Sequence, residues 1–252
     1  MFHRRIPQFV LVYFLGLLSL LLIKYLLNLS DYVIPNPVEI WQTCRNVFAR
    51  YVINVLDTLW IAVVGHVISI ALAFLVGIVG RADSWIGALI KAAAYNIQAY
   101  PIVAVAPIIF ILLGDGLITR LLIAVMICYF PLLLSVIGIL SEPVDSIEHF
   151  YVATNRMNRW LQVRIRAYEN IGKLTTVIAG GGTMAVVGTI VAEFIAADAG
   201  IGYSIRTALY QSDLSKILTA LFLIGIGTSL YLTVLEWMGN LIQKSLHVIS
   251  NQ

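Results

Sequence analysis

Charge is what this sequence has least of. Only 12% of its 252 residues are Asp, Glu, Lys or Arg, against roughly 25% in a soluble domain. Hydrophobic residues make up 60%, and the mean hydropathy is +0.93. A chain so poor in charge has no surface to show water, which excludes an ordinary soluble domain. Cysteine is scarce as well. Cys44 and Cys128 stand in different segments without partner spacing, which excludes a disulfide framework and a thiolate metal site. The net charge of +3 gives no basis for nucleic-acid binding. There is no Gly-x-x-x-x-Gly-Lys-Ser/Thr loop to cradle a nucleotide phosphate. Gly-x-Ser-x-Gly, His-Glu-x-x-His and metal-spaced His and Cys are absent too. The expectation is a non-catalytic chain with no cofactor of its own.

What is present is a series of long apolar runs. A bilayer core about 30 Å thick needs about 20 apolar helical residues, and six runs approach or exceed that. They are residues 8–29, 55–79, 86–113, 117–140, 175–197 and 217–243. The first resembles a signal peptide in its basic start, but its apolar stretch is too long and no small-residue cleavage site follows. It is read as a retained span. "SDYVIPNPVEIWQTCRNVFARYV" then suggests a proline-broken loop and a short amphipathic helix at the interface. The third run is interrupted by Pro101 and Pro107, and the fourth contains Pro131. The expected fold is one all-α membrane domain over residues 1–252, with about six transmembrane helices and both termini cytoplasmic. That orientation puts nine of the 16 Lys and Arg inside (Arg4, Arg5, Arg81, Arg156, Arg159, Arg164, Arg166, Lys173, Lys244). Five fall outside: Arg45, Arg50, Arg120, Arg206 and Lys216.

Between the fourth and fifth spans lies the one sizeable polar stretch, residues 141–174, "SEPVDSIEHFYVATNRMNRWLQVRIRAYENIGKL". Acids near its start suit a helix N-terminus. Ile147, Phe150, Tyr151 and Thr154 recur at i, i+3, i+4, i+7, and Trp160, Val163 and Ala167 at i, i+3, i+7. Two short amphipathic helices are predicted, whose aromatics need a surface to bury against. A plain solvated loop is the alternative.

The order of "SDYVIPNPVEIW", "YNIQAYPIVAVAPIIFILLGDG", this polar segment and "VVGTIVAEFIAADAGIGYSI" resembles the permease subunit of binding-protein-dependent ABC importers. The branch that it resembles is the nitrate, sulfonate, taurine and bicarbonate type. The resemblance runs from about Ser30 to Lys244. It implies a type I importer fold in the inner membrane, with a coupling helix in residues 141–174 that docks on an ATPase subunit. It implies as partners two ATPase subunits carrying ATP and Mg, a second permease chain (the same or a paralogue), an external solute-binding protein, and lipid. The coupling residues implied are Glu148, Tyr151, Val152, Ala153, Thr154, Asn155, Met157 and Asn158. The family's motif begins Glu-Ala-Ala and has a glycine four residues after the last alanine. Tyr151, Val152 and Ala153 stand at its start here, and Met157 takes the glycine's place. The motif's later Leu-Pro is missing. The implied solutes are small organic or inorganic anions, or vitamin precursors. A secondary transporter or channel without an ATPase is a second reading, and an intramembrane enzyme a third.

Pathway or gate candidates follow from the same frame. Gly181, Ala185, Gly188 and Ala192 form one stripe of small residues, suited to close helix packing or to leaving room for a solute. Tyr100 and Pro101 mark the break in the third span. Glu193 is an acid near the outer end of the fifth, read as an ion pair, a cap or a simple interfacial acid. A charge in hydrocarbon costs roughly 2.5–3.5 kcal/mol at a helix centre, so it needs water or a partner. Gly200 and Gly202 then allow a chain reversal. Asp57, His66 and Glu236 are further polar groups within apolar runs.

Overall fold

Hydrocarbon offers no hydrogen bonds, so a chain that spans it must satisfy its backbone within each segment. The computed structural model, which describes residues 5–100 and 102–250, is helical throughout its ordered elements. Five helices are long and apolar enough to cross a membrane. They are α1 (Arg5–Leu26), α2 (Pro37–Gly80), α5 (Leu117–Ser141), α8 (Ile171–Ile195) and α10 (Leu214–Ser250). A sixth span arises if α3 (Trp85–Ala99) and α4 (Ile102–Leu113) count as one, bent by 91°. Two short helices, α6 (Asp145–Ala153) and α7 (Arg159–Glu169), join α5 to α8, and α9 (Ile201–Tyr210) joins α8 to α10. The all-α membrane architecture read from the sequence is therefore present.

One detail differs from expectation. The predicted interfacial helix before the second span is not separate. It is the first part of α2, a single helix of 44 residues and about 66 Å at 1.5 Å per residue. Pro37 sits in its first turn, where a missing N–H costs nothing. No glycine or proline follows until Gly65, so nothing stops the helix at the expected boundary. The third span is broken between Ala99 and Ile102, as its interruption in the sequence suggested. Tyr100 caps α3 in an extended conformation (φ −75°, ψ 135°), as a residue before proline must. Pro101 itself lies outside the described residues. Pro107 and Pro131 leave α4 and α5 unbroken.

The core lies where α2, α5, α8, α9 and α10 meet, around Val55, Ala62, Cys128, Ala185, Val186, Ile201 and Ile224. α1 stands at the periphery with no buried residue. It leans on α10 through Phe9, Tyr13 and Phe222, and Arg5 pairs with Glu236. Gly188 shows how close α8 and α5 approach. A Cβ there would lie 3.0 Å from the Ala124 Cα and 3.1 Å from the Ile127 Cβ. Gly180, one face over, has open space at the same point. Gly188→Leu is therefore expected to cost about 1–3 kcal/mol through overpacking. Gly180→Ala should be neutral or slightly stabilising. Thermal unfolding of the two variants in detergent checks the contrast, and equal midpoints would contradict it.

Candidate functional site

The acid near the end of α8 is fully buried. Glu193 has no solvent exposure and pairs with Arg120 from the first turn of α5. The same guanidinium reaches Asp57 of α2 at 2.7 Å. Thr58 Oγ1 donates to Glu193 Oε2 at 2.7 Å. The Gly202 N–H donates to that oxygen at 2.9 Å, and the Ile201 N–H to Thr58 Oγ1 at 2.9 Å. Ile201 and Gly202 open α9, whose first N–H groups have no partner within the helix. Glu193 is thus an ion pair and a cap at once rather than a simple interfacial acid, and its negative charge meets the positive end of α9.

The two glycines do different work. Gly200 has φ +90°, and a Cβ there would collide with the Glu193 carboxyl. Gly202 allows close approach instead, since a Cβ would lie 2.5 Å from the Ile190 carbonyl oxygen. Arg120, counted from sequence as an outside loop cation, is the group that the sequence reading missed. Its signal was a lone arginine opening an apolar run just after "GDG".

Removing one partner of a buried ion pair strands the other charge, typically at about 3–5 kcal/mol. Arg120→Met, which leaves the fully buried Glu193 charge without a cation, is expected to lose about that much stability. Adding Glu193→Gln should recover most of it, because the amide oxygen still accepts from Thr58 and the Gly202 N–H, and Asp57 is partly exposed and can be solvated. A double-mutant cycle on unfolding in detergent reads this. Additive losses would contradict it.

The small-residue stripe faces inward. Ala185 and Ala192 have no exposure. A Cβ on Gly181 would lie 3.0 Å from His66 Nε2 of α2. His66 Nδ1 in turn bonds the Tyr231 hydroxyl at 2.7 Å. Gly181, Ala185, Gly188 and Ala192 are therefore packed among α2, α5 and α10. The open side of α8 carries Thr176, Gly180 and Thr183 instead. With α10 and the start of α1 they border a cavity of about 460 Å³, lined also by Thr175, Asn240 and Gln243, with Arg5 and Glu236. Tyr100 is exposed at the end of α3 and does not line this cavity.

The polar segment folds as the two predicted helices. α6 and α7 are clamped by Glu148, whose carboxylate accepts from Arg166 Nε at 2.5 Å and Nη2 at 2.9 Å. It also accepts from Gln162 at 3.1 Å and the Val144 N–H at 3.2 Å. Arg166 Nη1 donates to the Leu140 and Ser141 carbonyls at the end of α5, at 3.1 and 2.9 Å. There a cation complements the negative helix terminus. Arg81, just past α2, donates to Gln162 and to the Arg159 carbonyl, both at 3.0 Å. Asn158 caps α7 by accepting from the Leu161 N–H at 2.8 Å. The turn between the helices uses Asn155 at φ +55°, a left-handed position that asparagine tolerates. The left-handed residue is thus Asn155, not Met157.

The aromatic burial expected here does not occur. Phe150 is 62% and Trp160 70% exposed, and Val152 lies open beside them. Ala153, Thr154, Asn155 and Asn158 are exposed as well, while Tyr151 and Met157 are half-buried. The buried positions of α7 are Val163 and Arg166. The clamp, not an apolar stripe, holds the hairpin to the bundle, and its apolar ridge faces outward.

The Arg166 guanidinium beside it, opposed in part by burial, holds the Glu148 carboxyl down at about 2. A depressed carboxyl pKa adds stability above its unfolded value and loses it as pH falls toward the folded value. The clamp is therefore at full strength above about pH 4.5 and weakens from there toward pH 2. Pepsin digestion of the detergent-solubilised protein should cut residues 145–169 increasingly as pH drops through that window. Glu148→Gln should be cut readily across it. Identical profiles for the two proteins would contradict the clamp.

No family model matches the chain. It is similar to three curated proteins. One is the riboflavin transport system permease protein RibX of Chloroflexus aurantiacus, 35% identical over 133 residues, which are 52% of this chain and 49% of that protein. The chain thus spans about half the length of this relative. Another is the formylaminopyrimidine transport permease protein ThiX of Halalkalibacterium halodurans, 21% identical over 198 residues, 78% of this chain and 79% of the relative. The third is a probable ABC transporter permease protein of Haemophilus influenzae, 24% identical over 146 residues, 56% of this chain and 58% of the relative. These names support a transport permease. None of the three points to the nitrate, sulfonate, taurine and bicarbonate branch.

Proposed function

We propose that this chain is the membrane-spanning permease subunit of an ATP-driven ABC importer. It works as a dimer, with an identical or paralogous chain, by alternating access. The observation that carries this reading is the α6–α7 hairpin. It is clamped by Glu148 and Arg166 to the end of α5, yet it presents Phe150, Val152 and Trp160 outward. An apolar ridge on a polar hairpin is a surface in want of a partner. A rigid mount lets a partner's motion reach the bundle. Two separate ATPase subunits carrying ATP and Mg are the partners proposed for it, and an external binding protein for the opposite end. The resemblance to three transport permeases supports the same reading. Arg81, Arg156, Arg159, Arg164, Arg166 and Lys173 gather at the hairpin end, which supports placing it and both termini in the cytoplasm.

For the solute, a vitamin or vitamin precursor is favoured over a small anion. Two relatives are named for riboflavin and formylaminopyrimidine transport. Among the described residues, the cations at the buried ion pair and at the cavity are already paired. Arg120 is held by Glu193 and Asp57, and Arg5 at the cavity by Glu236.

Coupling is proposed to run through Ala153 and Thr154 beside Tyr151 and Met157, on the exposed end of α6. Ala153→Asp or Thr154→Arg should abolish solute-stimulated ATP hydrolysis by the purified complex while leaving the unfolding midpoint of the membrane domain unchanged. Undiminished stimulation would overturn the coupling assignment.

A further inference from the structure

The cavity between α8, α10 and the start of α1 is open on one side, and several polar groups stand in its otherwise apolar lining without net charge. Thr176, Gly180 and Thr183 succeed one another at i, i+4 and i+7 on α8, one face of the helix. Glu236, Asn240 and Gln243 do the same on α10, at i, i+4 and i+7. Some of this polarity is internally spent. Gln243 Nε2 donates to Thr175 Oγ1 at 2.6 Å, and Thr176 donates back to the Gly172 carbonyl at 2.9 Å. Among the described residues, the Thr183 hydroxyl and the Asn240 amide have no partner. Both side chains can be reached from the open side of the cavity and are free to bond a ligand there.

The walls and charge define its chemistry. Gly180 leaves open space where a side chain would stand, and Ala179 and Gly239 add only small ones. A flat face can therefore lie against α8 and α10. The volume, about 460 Å³, falls within the roughly 300–1,000 Å³ usual for small-molecule sites. The charged lining residues, Arg5 and Glu236, are paired with each other. Among the described residues, an anion brought here would meet no free cation, and a cation no free carboxylate. Either would lose its hydration uncompensated. The cavity also sits in the half of α8 next to the hairpin, where Asn170 caps both the end of α7 and the start of α8.

We propose that this cavity is a solute site for a neutral, planar heterocycle, held at its edge by Thr183 and Asn240 and laid flat against Gly180. The inference rests on the permease reading for its physiological role, and names the solute class that this chain itself selects.

The test uses the full chain in nanodiscs, with riboflavin and formylaminopyrimidine as probes. At least one should bind saturably, and nitrate should not displace it. Thr183→Val and Asn240→Leu should each weaken binding about tenfold, the scale of one well-made hydrogen bond. Thr183→Ser, which keeps the hydroxyl, should bind as the parent does, and so should Thr228→Val, whose hydroxyl bonds the Ile224 carbonyl away from the cavity. Unchanged unfolding midpoints show that the variants are folded. Binding of neither probe, or equal binding by all variants, would overturn the site. The two readings fail separately. ATP-driven uptake that ignores Thr183 and Asn240 would sink the site and spare the permease. Probe binding that depends on both residues, with uptake indifferent to ATP, would do the reverse.

Discussion

The Arg120 guanidinium, set between Asp57 and Glu193, is the interaction on which one end of this molecule depends. It joins α2, α5 and α8, and through Glu193 and Thr58 it also fixes the first turn of α9. Apolar contacts in lipid carry little directional preference, because lipid tails are as oily as the side chains that they replace. A buried ion pair is directional. It can be satisfied in one arrangement of the three helices, and separating them leaves charges in hydrocarbon. The arrangement costs two glycines, since neither the turn at Gly200 nor the approach at Gly202 admits a side chain.

The opposite end repeats the logic in a more solvated setting. Glu148 and Arg166 fasten the hairpin to the last carbonyls of α5, and Arg81 ties it to the end of α2. Between the two ends, α8 runs from the hairpin to the ion pair as one helix of 25 residues. A force applied to the exposed ridge of α6 and α7 thus acts on the same helix that carries Glu193.

Much of this was legible in the sequence, for reasons that differ by region. Spans were visible because a bilayer demands long apolar runs, and the hairpin because its polar stretch breaks them. Glu193 stood out as an acid among apolar residues. Its partner did not, because Arg120 begins its run and looks like a loop cation until α5 is folded against α8. The helix before Val55 was read as separate because its composition changes there. Hydrogen bonding along a helix ignores composition, and no proline or glycine interrupts it. The exposure of Phe150 and Trp160 was hidden because periodicity identifies an amphipathic face without saying whether the apolar side meets its own chain or another. The cavity was hidden for a related reason. Gly181, Ala185, Gly188 and Ala192 drew attention as small residues, whereas the neighbouring face of Thr176, Gly180 and Thr183 is the one left open.

The central claim is that this bundle moves a solute only when a separate nucleotide-hydrolysing partner works on its hairpin. Uptake of radiolabelled riboflavin or formylaminopyrimidine into proteoliposomes tests it most directly, with the chain reconstituted alone and together with the ATPase that co-purifies with it. The account predicts no uptake by the chain alone, and ATP-dependent uptake once the ATPase and the external binding protein are supplied. Accumulation by the chain alone, unaffected by nucleotide, would contradict it.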